Sequence, residues 1–277
     1  MLQAPTVHIL LATYNGCRFI TEQLTSIERQ SYTDWTLTVS DDGSSDDTLE
    51  VVNAFAQRVS QPVTVLQGPR KGSTWNFCYL IAQAPTRRAQ DLFAFCDQDD
   101  VWLLNKLERA VQWHSQYKET SVRLYCGRTQ FVNERLQTMG LSPGIHRPPS
   151  FGNALVQNIA SGNTMVFSQA VLLAQKKIQP QHSVWHDWTT YLVATALGGL
   201  VCFDDDPCLL YRQHTGNVVG ANDSMKLVVE AFSASMRGRY LSRVNTQMCA
   251  CNDIGHLITS ASHSTLLNFT SILNNTS

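Results

Sequence analysis

Apolar and polar positions come in blocks along the first hundred residues, and the blocks define an architecture. Val7–Thr13 (VHILLAT) is a nearly unbroken apolar run of the kind that suits a central strand. After the Asn15-Gly16 turn, Phe19, Ile20, Leu24 and Ile27 fall at helical spacing. The alternation repeats: WTLTVS from Trp35 predicts a strand, and Leu49, Val52 and Phe55 mark one helical face, with Ser44, Ser45 and Asp46 as N-cap candidates. VTVLQ from Val63 predicts a third strand, NFCYLIAQA from Asn76 a helix, and DLFAFC from Asp91 a fourth strand. Strands alternating with helices predict an α/β fold, with a mostly parallel central sheet carrying helices on both faces.

Further on, VWLLNKLERAVQWHSQY from Val101 predicts a helix, and VRLYCGRTQFVN from Val122 a strand or hairpin arm. Pro- and Gly-rich Leu141–Ser150 marks a loop. WHDWTTYLVATAL predicts a helix stopped by Gly198-Gly199, followed by the extended stretch GLVCFDDDPCLLYRQH. Beyond Gly220 the pattern weakens to an amphipathic helix over Met225–Met236 and a Ser/Thr/Asn-rich tail. The expected organisation is one domain over residues 1–220, split into halves at about 105 and 106, with 221–277 as a helical extension and polar tail.

Composition changes the picture only by exclusion. With 43% apolar and 16% charged residues over 277, the chain is an ordinary globular one. A net charge of -1 supplies no global positive field, so nucleic acid is not an expected partner. The eight cysteines include no CxxC pair and read as reduced core residues, and no basic stretch precedes an apolar signal core. The expected location is the cytoplasm, including the inner face of the membrane.

The candidate chemistry sits where the strands end. Open parallel sheets bind ligands beyond the carboxyl ends of their strands, and here those ends lead into TYNG, SDDGSSDD, QGPRKGS and DQDD. In DQDD, three carboxylates within four residues repel one another. Either Asp99 or Asp100 caps a helix, or a divalent cation relieves the repulsion. Along an extended strand end, Asp97 and Asp99 share one side and Gln98 points away. Asp46 suffices as a cap, which leaves Asp41 and Asp42 without a structural duty of their own; a carboxylate there can accept the imide N–H of uracil or thymine. Asp187, between Trp185 and Trp188, reads either as a helix cap or as a partly desolvated carboxylate, whose raised proton affinity suits a general base.

VHILLATYNG, SDDGSSDDT, FCDQDDVWLLNKLE and HDW, in this order and at these separations, resemble the family 2 glycosyltransferases of GT-A fold over roughly residues 6–220. HDW followed by YRQHTGNVVGA looks most like the bacterial rhamnosyltransferases of O-antigen and related surface polysaccharides. The resemblance implies a Rossmann-like GT-A sheet and an inverting transfer from a nucleotide-sugar donor to a saccharide or lipid-linked acceptor. dTDP-rhamnose is the expected donor. UDP-hexoses, a nucleotidyltransferase and a non-catalytic nucleotide-sugar-binding module are the alternatives. Residue by residue, it implies that Thr13 and Tyr14 flank the nucleoside, Asp42 reads the base, Asp97 faces the ribose and the Mg2+ or Mn2+ ion, Asp99 binds that ion and Asp187 is the catalytic base. Arg70, Lys71 and Asn76 are further donor-side candidates. Gly162 and Asn163 in ASGNT, His186, Trp188, Arg212 and His214 are candidates for the acceptor side or a lid. The usual WLP following the motif is Leu103-Leu104 here. Met225, Leu227, Val228, Ala231 and Phe232, with nearby basic residues, read either as a core helix packed on the domain or as a surface face for peripheral membrane association.

Overall fold

The apolar blocks at the start of the chain form neighbouring strands. The computed structural model describes residues 4–117, 121–214 and 234–275. In chain order come β1 (Val7–Thr13), α1 (Ile20–Glu28), β2 (Trp35–Asp41), α2 (Thr48–Arg58), β3 (Val63–Gln67), α3 (Ser73–Gln83) and β4 (Leu92–Cys96). Next are β5 (Val101–Trp102), α4 (Lys106–Gln116), β6 (Arg123–Gly127), β7 (Gln130–Val132), β8 (Thr138–Leu141), α5 (Phe151–Ala154), β9 (Val166–Ser168) and α6 (Gln169–Gln175). The chain continues through α7 (His186–Ala196), β10 (Leu200–Asp204) and β11 (Leu209–Arg212) to α8 (Ala234–Asp253) and α9 (Ser260–Asn275).

The main sheet has the order β10-β6-β9-β4-β1-β2-β3. Strands β4, β1, β2 and β3 are mutually parallel, as the block pattern predicts, whereas β9 runs antiparallel to both β4 and β6. β1 and β4 are buried along their whole lengths, which explains why their sequences lack polar alternation. One apolar layer gathers Ile20, Leu24, Val52, Phe55 and Leu107 from α1, α2 and α4; the other gathers Phe77, Val171, Leu192 and Ala250 from α3, α6, α7 and α8. The register aligns the strand ends: Thr13 lies opposite Asp41, Asp41 opposite Gln67, and Leu11 opposite Cys96. Four polar loops therefore leave the sheet side by side.

Two expectations give way. The helix after Asp100 does not begin at Val101: Val101–Trp102 pairs with β11 in a second sheet of order β5-β11-β7-β8, and α4 begins only at Lys106. Burying Trp102 against the core and pairing with a strand a hundred residues away override local helical spacing. The Ser/Thr/Asn-rich end is also not a loose tail, because residues 260–275 are helical. Ser264, Thr265 and Thr270 turn their hydroxyls onto the carbonyls of Ser260, Ala261 and Leu266, so their polarity is absorbed within the helix. Ala250, Cys251 and Ile254 join the apolar core that also holds Phe77, Val171 and Leu192. Most of the helix expected over Met225–Met236 lies outside the described residues. Among the described residues no helix is long and apolar enough to cross a membrane.

Candidate active site

A cleft of about 1660 Å³ opens where the parallel strands end. Thr13, Tyr14, Asp42, Asn76, Asp97 and Asp99 line it from the first hundred residues, and Gly162, His186 and Asp187 line it from later in the chain. Local folding explains each placement. Asn76, one turn into α3, is anchored by donating from Nδ2 to the Ser40 carbonyl at 2.8 Å. Asp187 lies in the first turn of α7 and accepts from the Trp188 N–H at 2.6 Å. His186 stacks on Phe77 with ring centroids 3.7 Å apart, and its buried Nε2 has no hydrogen-bond partner among the described residues. A Cβ on Gly162 would lie 2.3 Å from that nitrogen, so only glycine lets the 160–164 segment pass this close.

The electrostatics divide the acidic residues into two groups. Asp42 is not idle as expected: Oδ1 accepts from Arg70 N at 2.6 Å and Lys71 N at 3.4 Å, and Oδ2 accepts from Gly72 N at 2.7 Å. Asp41 accepts from the N–H groups of Gly43 and Ser44. These carboxylates hold their own loops together. Asp46 likewise accepts from Thr48 and Cys17, while Asp47 occupies the N-cap position of α2. Asp97 is in the opposite situation. Burial, followed by the charges of Asp99 and Asp187, pushes it up to about 8. Among the described residues no donor is aimed at its carboxylate. Burial pushes Asp187 up to about 6, tempered by the N–H groups of Trp188 and Gly162 and by the Asn158 amide. Burial holds His186 down to about 3, so its ring is neutral. Asp100 caps no helix; buried, it accepts from Asn163 Nδ2, and burial with the charges of Asp99 and Asp97 raises it well above the usual carboxylate range.

Not every expected residue reaches the cleft. Lys71 turns its ammonium over the Trp75 ring at 4.7 Å, and it is Arg70 that lines the cavity. Asn163 is fully buried against Asp100, and Trp188 is buried with Nε1 donating to the Ala154 carbonyl at 2.7 Å; Trp185 lines the cleft in its place. Arg212 is buried, bonded to the carbonyls of Asp99 and Glu134 and to the Glu22 carboxylate, so it buttresses the motif from behind. His214 approaches the same motif, its Nε2 lying 2.8 Å from Asp99 Oδ2. Gln98 does not point away: the chain bends after β4, and all of Asp97, Gln98 and Asp99 line the cleft. Strand alternation assigned Gln98 to the wrong side, and no local signal announces the bend.

Residues 8–178 match the family described as Glycosyl transferase family 2. The chain is 30% identical over 230 residues to the dTDP-rhamnosyl transferase RfbG of Shigella flexneri, covering 78% of this chain and 75% of that protein. The mannosyltransferase PcManGT of Pyrobaculum calidifontis, solved with GDP-Man and Mn2+, superposes with a TM-score of 0.60 at 15% identity, covering 98% of this chain and 81% of that one. TarS 1–349 of S. aureus, solved with UDP-GlcNAc, gives a TM-score of 0.56 at 16% identity, covering 94% and 83%. The chain spans half of the longer TarS chain. These likenesses establish the GT-A arrangement of the sheet. Asp187 lies beyond the family match, which ends at residue 178.

Proposed function

The chain belongs to glycosyl transferase family 2, and from that premise we propose that it transfers a sugar, rhamnose from dTDP-rhamnose, with inversion to a saccharide or lipid-linked acceptor in surface polysaccharide synthesis. The observation that carries this reading is electrostatic. Asp97, Asp99 and Asp187 border one cleft, and Asp187 is near enough for its charge to raise Asp97. The likeness to RfbG supports the choice of rhamnose, and family membership replaces the nucleotidyltransferase alternative.

On the donor side, the exposed Tyr14 ring offers a stacking face for a pyrimidine, worth about 1–3 kcal/mol per base. Asp42 lines the cleft and stiffens the Arg70–Gly72 loop, bringing the Arg70 side chain to the cavity. Asp97 and Asp99 fit a hard divalent cation. Both line the cleft and offer oxygen ligands, and Asp97 is crowded by the charges of Asp99 and Asp187. When bound, such a cation supplies charge neutralisation for the departing nucleoside diphosphate.

The chain's own chemistry rests on Asp187. Burial gives its carboxylate a proton affinity near that of a neutral-pH base, and the N–H groups of Trp188 and Gly162 hold it in place. It takes the proton from an acceptor hydroxyl as that oxygen attacks the anomeric carbon; the bond to the diphosphate oxygen breaks on the opposite face, inverting the centre. His186, neutral and clamped between Phe77 and Phe95, keeps the start of α7 in register. The test is incubation with radiolabelled dTDP-rhamnose and UDP-hexoses, Mn2+ and a lipid-linked saccharide. Transfer from dTDP-rhamnose that Asp99→Asn weakens is the expected result. Transfer from a UDP-hexose alone would reassign the donor, and release of free sugar without any glycosylated product would sink the transferase reading.

A further inference from the structure

We propose that Gln98 is a positioning residue that holds Tyr14 as the platform for the donor's pyrimidine ring, and that Gly16 is glycine because Gln98 needs its space. The inference rests on the nucleotide-sugar reading above. Tyr14 is 56% exposed, so packing does little to fix its ring. Its backbone is fixed instead. Gln98 Oε1 accepts from Tyr14 N at 2.9 Å and from Thr13 Oγ1 at 2.6 Å, while Gln98 Nε2 donates to the Tyr14 carbonyl at 3.0 Å. One side-chain amide thus satisfies both main-chain groups of the residue that carries the ring, a two-point grip that fixes orientation as well as distance.

The neighbouring residues anchor the same turn from the other side. Asn15 N donates to Ser44 Oγ at 2.8 Å, Gly16 N donates to Thr48 Oγ1 at 2.7 Å, and Asp42 N donates to the Thr13 carbonyl at 2.8 Å. The Thr13–Gly16 turn is therefore suspended between the loop after β2 and the loop after β4. Among the described residues, only Gln98 ties it to the latter through Tyr14 itself. A Cβ on Gly16 would stand 2.2 Å from Gln98 Oε1 and 2.6 Å from its Cδ, both far inside contact, whereas the third nearest atom, Thr13 Oγ1, is 3.2 Å away. The steric demand on Gly16 is thus set by Gln98. Because Gln98 sits between Asp97 and Asp99, the grip also joins the base platform to the carboxylates expected at the diphosphate.

The experiment separates base from diphosphate. Calorimetry in Mn2+ measures the affinities of dTDP, UDP and inorganic pyrophosphate for the full chain and its variants. Gln98→Ala is expected to weaken dTDP and UDP about tenfold and pyrophosphate less than twofold. Gln98→Glu keeps the acceptor toward Tyr14 N but sets a carboxylate oxygen against the Tyr14 carbonyl, and should weaken both nucleotides at least as much as Gln98→Ala. Gly16→Ala alone should reproduce the tenfold loss; added to Gln98→Ala it should change dTDP affinity less than twofold, since the clash has gone. Thermal melts of each variant report folding. Equal losses for dTDP and pyrophosphate, or a Gly16→Ala loss that persists undiminished beside Gln98→Ala, would overturn the inference. A wild-type chain that binds pyrophosphate but neither nucleotide would overturn it together with the donor reading, whereas wild-type binding with unaltered Gln98→Ala affinity would overturn the inference alone.

Discussion

Asp41-Asp42 after β2 and Asp97-Gln98-Asp99 after β4 look alike in sequence: both place acidic pairs at the carboxyl end of a buried parallel strand. Their surroundings are opposite. Around the first pair, backbone N–H groups of Gly43, Ser44, Arg70, Lys71 and Gly72 converge on the carboxylates. Around Asp97, burial disfavours the charge and the charges of Asp99 and Asp187 add to the effect. A carboxylate met by several N–H donors is complete within the protein. One met by other carboxylates either keeps its proton or takes up a positive charge from outside. The difference separates a cluster that builds the cleft from one that works in it, and substitution at each should have a different signature.

The largest expected effect falls on the working cluster. Asp187→Asn keeps the size of the side chain and its bond from the Trp188 N–H but removes the basic lone pair. Transfer should fall by ~10²- to 10⁴-fold, the usual contribution of a general base, with donor affinity nearly unchanged. Kinetics paired with calorimetry checks this. Wild-type rates in the variant would move Asp187 from the working cluster to the building one.

Next comes the building cluster. In Asp42→Asn, one oxygen still accepts, but the new NH2 faces an N–H of Arg70 or Gly72 where two donors cannot pair. Losing a charge-assisted bond of this kind costs roughly 1.5–3 kcal/mol, read as a lowered midpoint in urea. If stability holds and only base affinity falls, Asp42 belongs with the working residues after all.

How much of this contrast was legible beforehand follows from where the deciding groups come from. The parallel strands β1 to β4 announced themselves as apolar runs, and the acidic motifs at their ends stood out at once. The donors to Asp42 did not: they are backbone groups 28 to 30 residues away, which every residue but proline carries and no sequence pattern marks. β5 was hidden for the same reason, since its partner β11 arrives from far along the chain. Trp188, a candidate for the acceptor side, lies in the core because helix phase points it there, and the exact start of α7 decides that phase. Of the two loop cations Arg70 and Lys71, a loop bend with Arg70 at φ 58° gives the cavity to Arg70 and lays Lys71 on Trp75, a choice that no local pattern makes.

A pH profile sharpens the comparison at a smaller scale. Asp187 titrates near 6 in the folded chain, and it must be ionised to accept a proton. The rate should therefore fall below pH 6, by about tenfold at pH 5, if the general base sets the limb. In Asp187→Asn the residual rate should lose this limb. A limb unchanged in position and depth would assign it to another group.

The smallest effect is the one whose sign separates the two clusters. Asp97 ionises in the unfolded chain near 3.8 and in the folded chain near 8. The folded state therefore holds a proton that the unfolded state has released between those values, and stability is lost as pH rises through that window. Replacing Asp97 by Asn removes the charge that burial and its neighbours disfavour. In the absence of divalent cations, Asp97→Asn should raise stability, whereas Asp42→Asn lowers it. Solvent at the cleft screens part of the repulsion, so the gain is on the order of 1 kcal/mol, or about 2–4 °C in Tm for a chain of this size. It should be small near pH 4, grow toward pH 8, and level off above. Mn2+ bound by the wild type should stabilise it by mass action and shrink or reverse the difference, because the amide that replaces the carboxylate offers the ion no charge. Melting curves of both variants at pH 5, 7 and 9, with and without Mn2+, make the comparison. Destabilisation by Asp97→Asn at every pH would mean that this carboxylate, like Asp42, is held by donors within the fold.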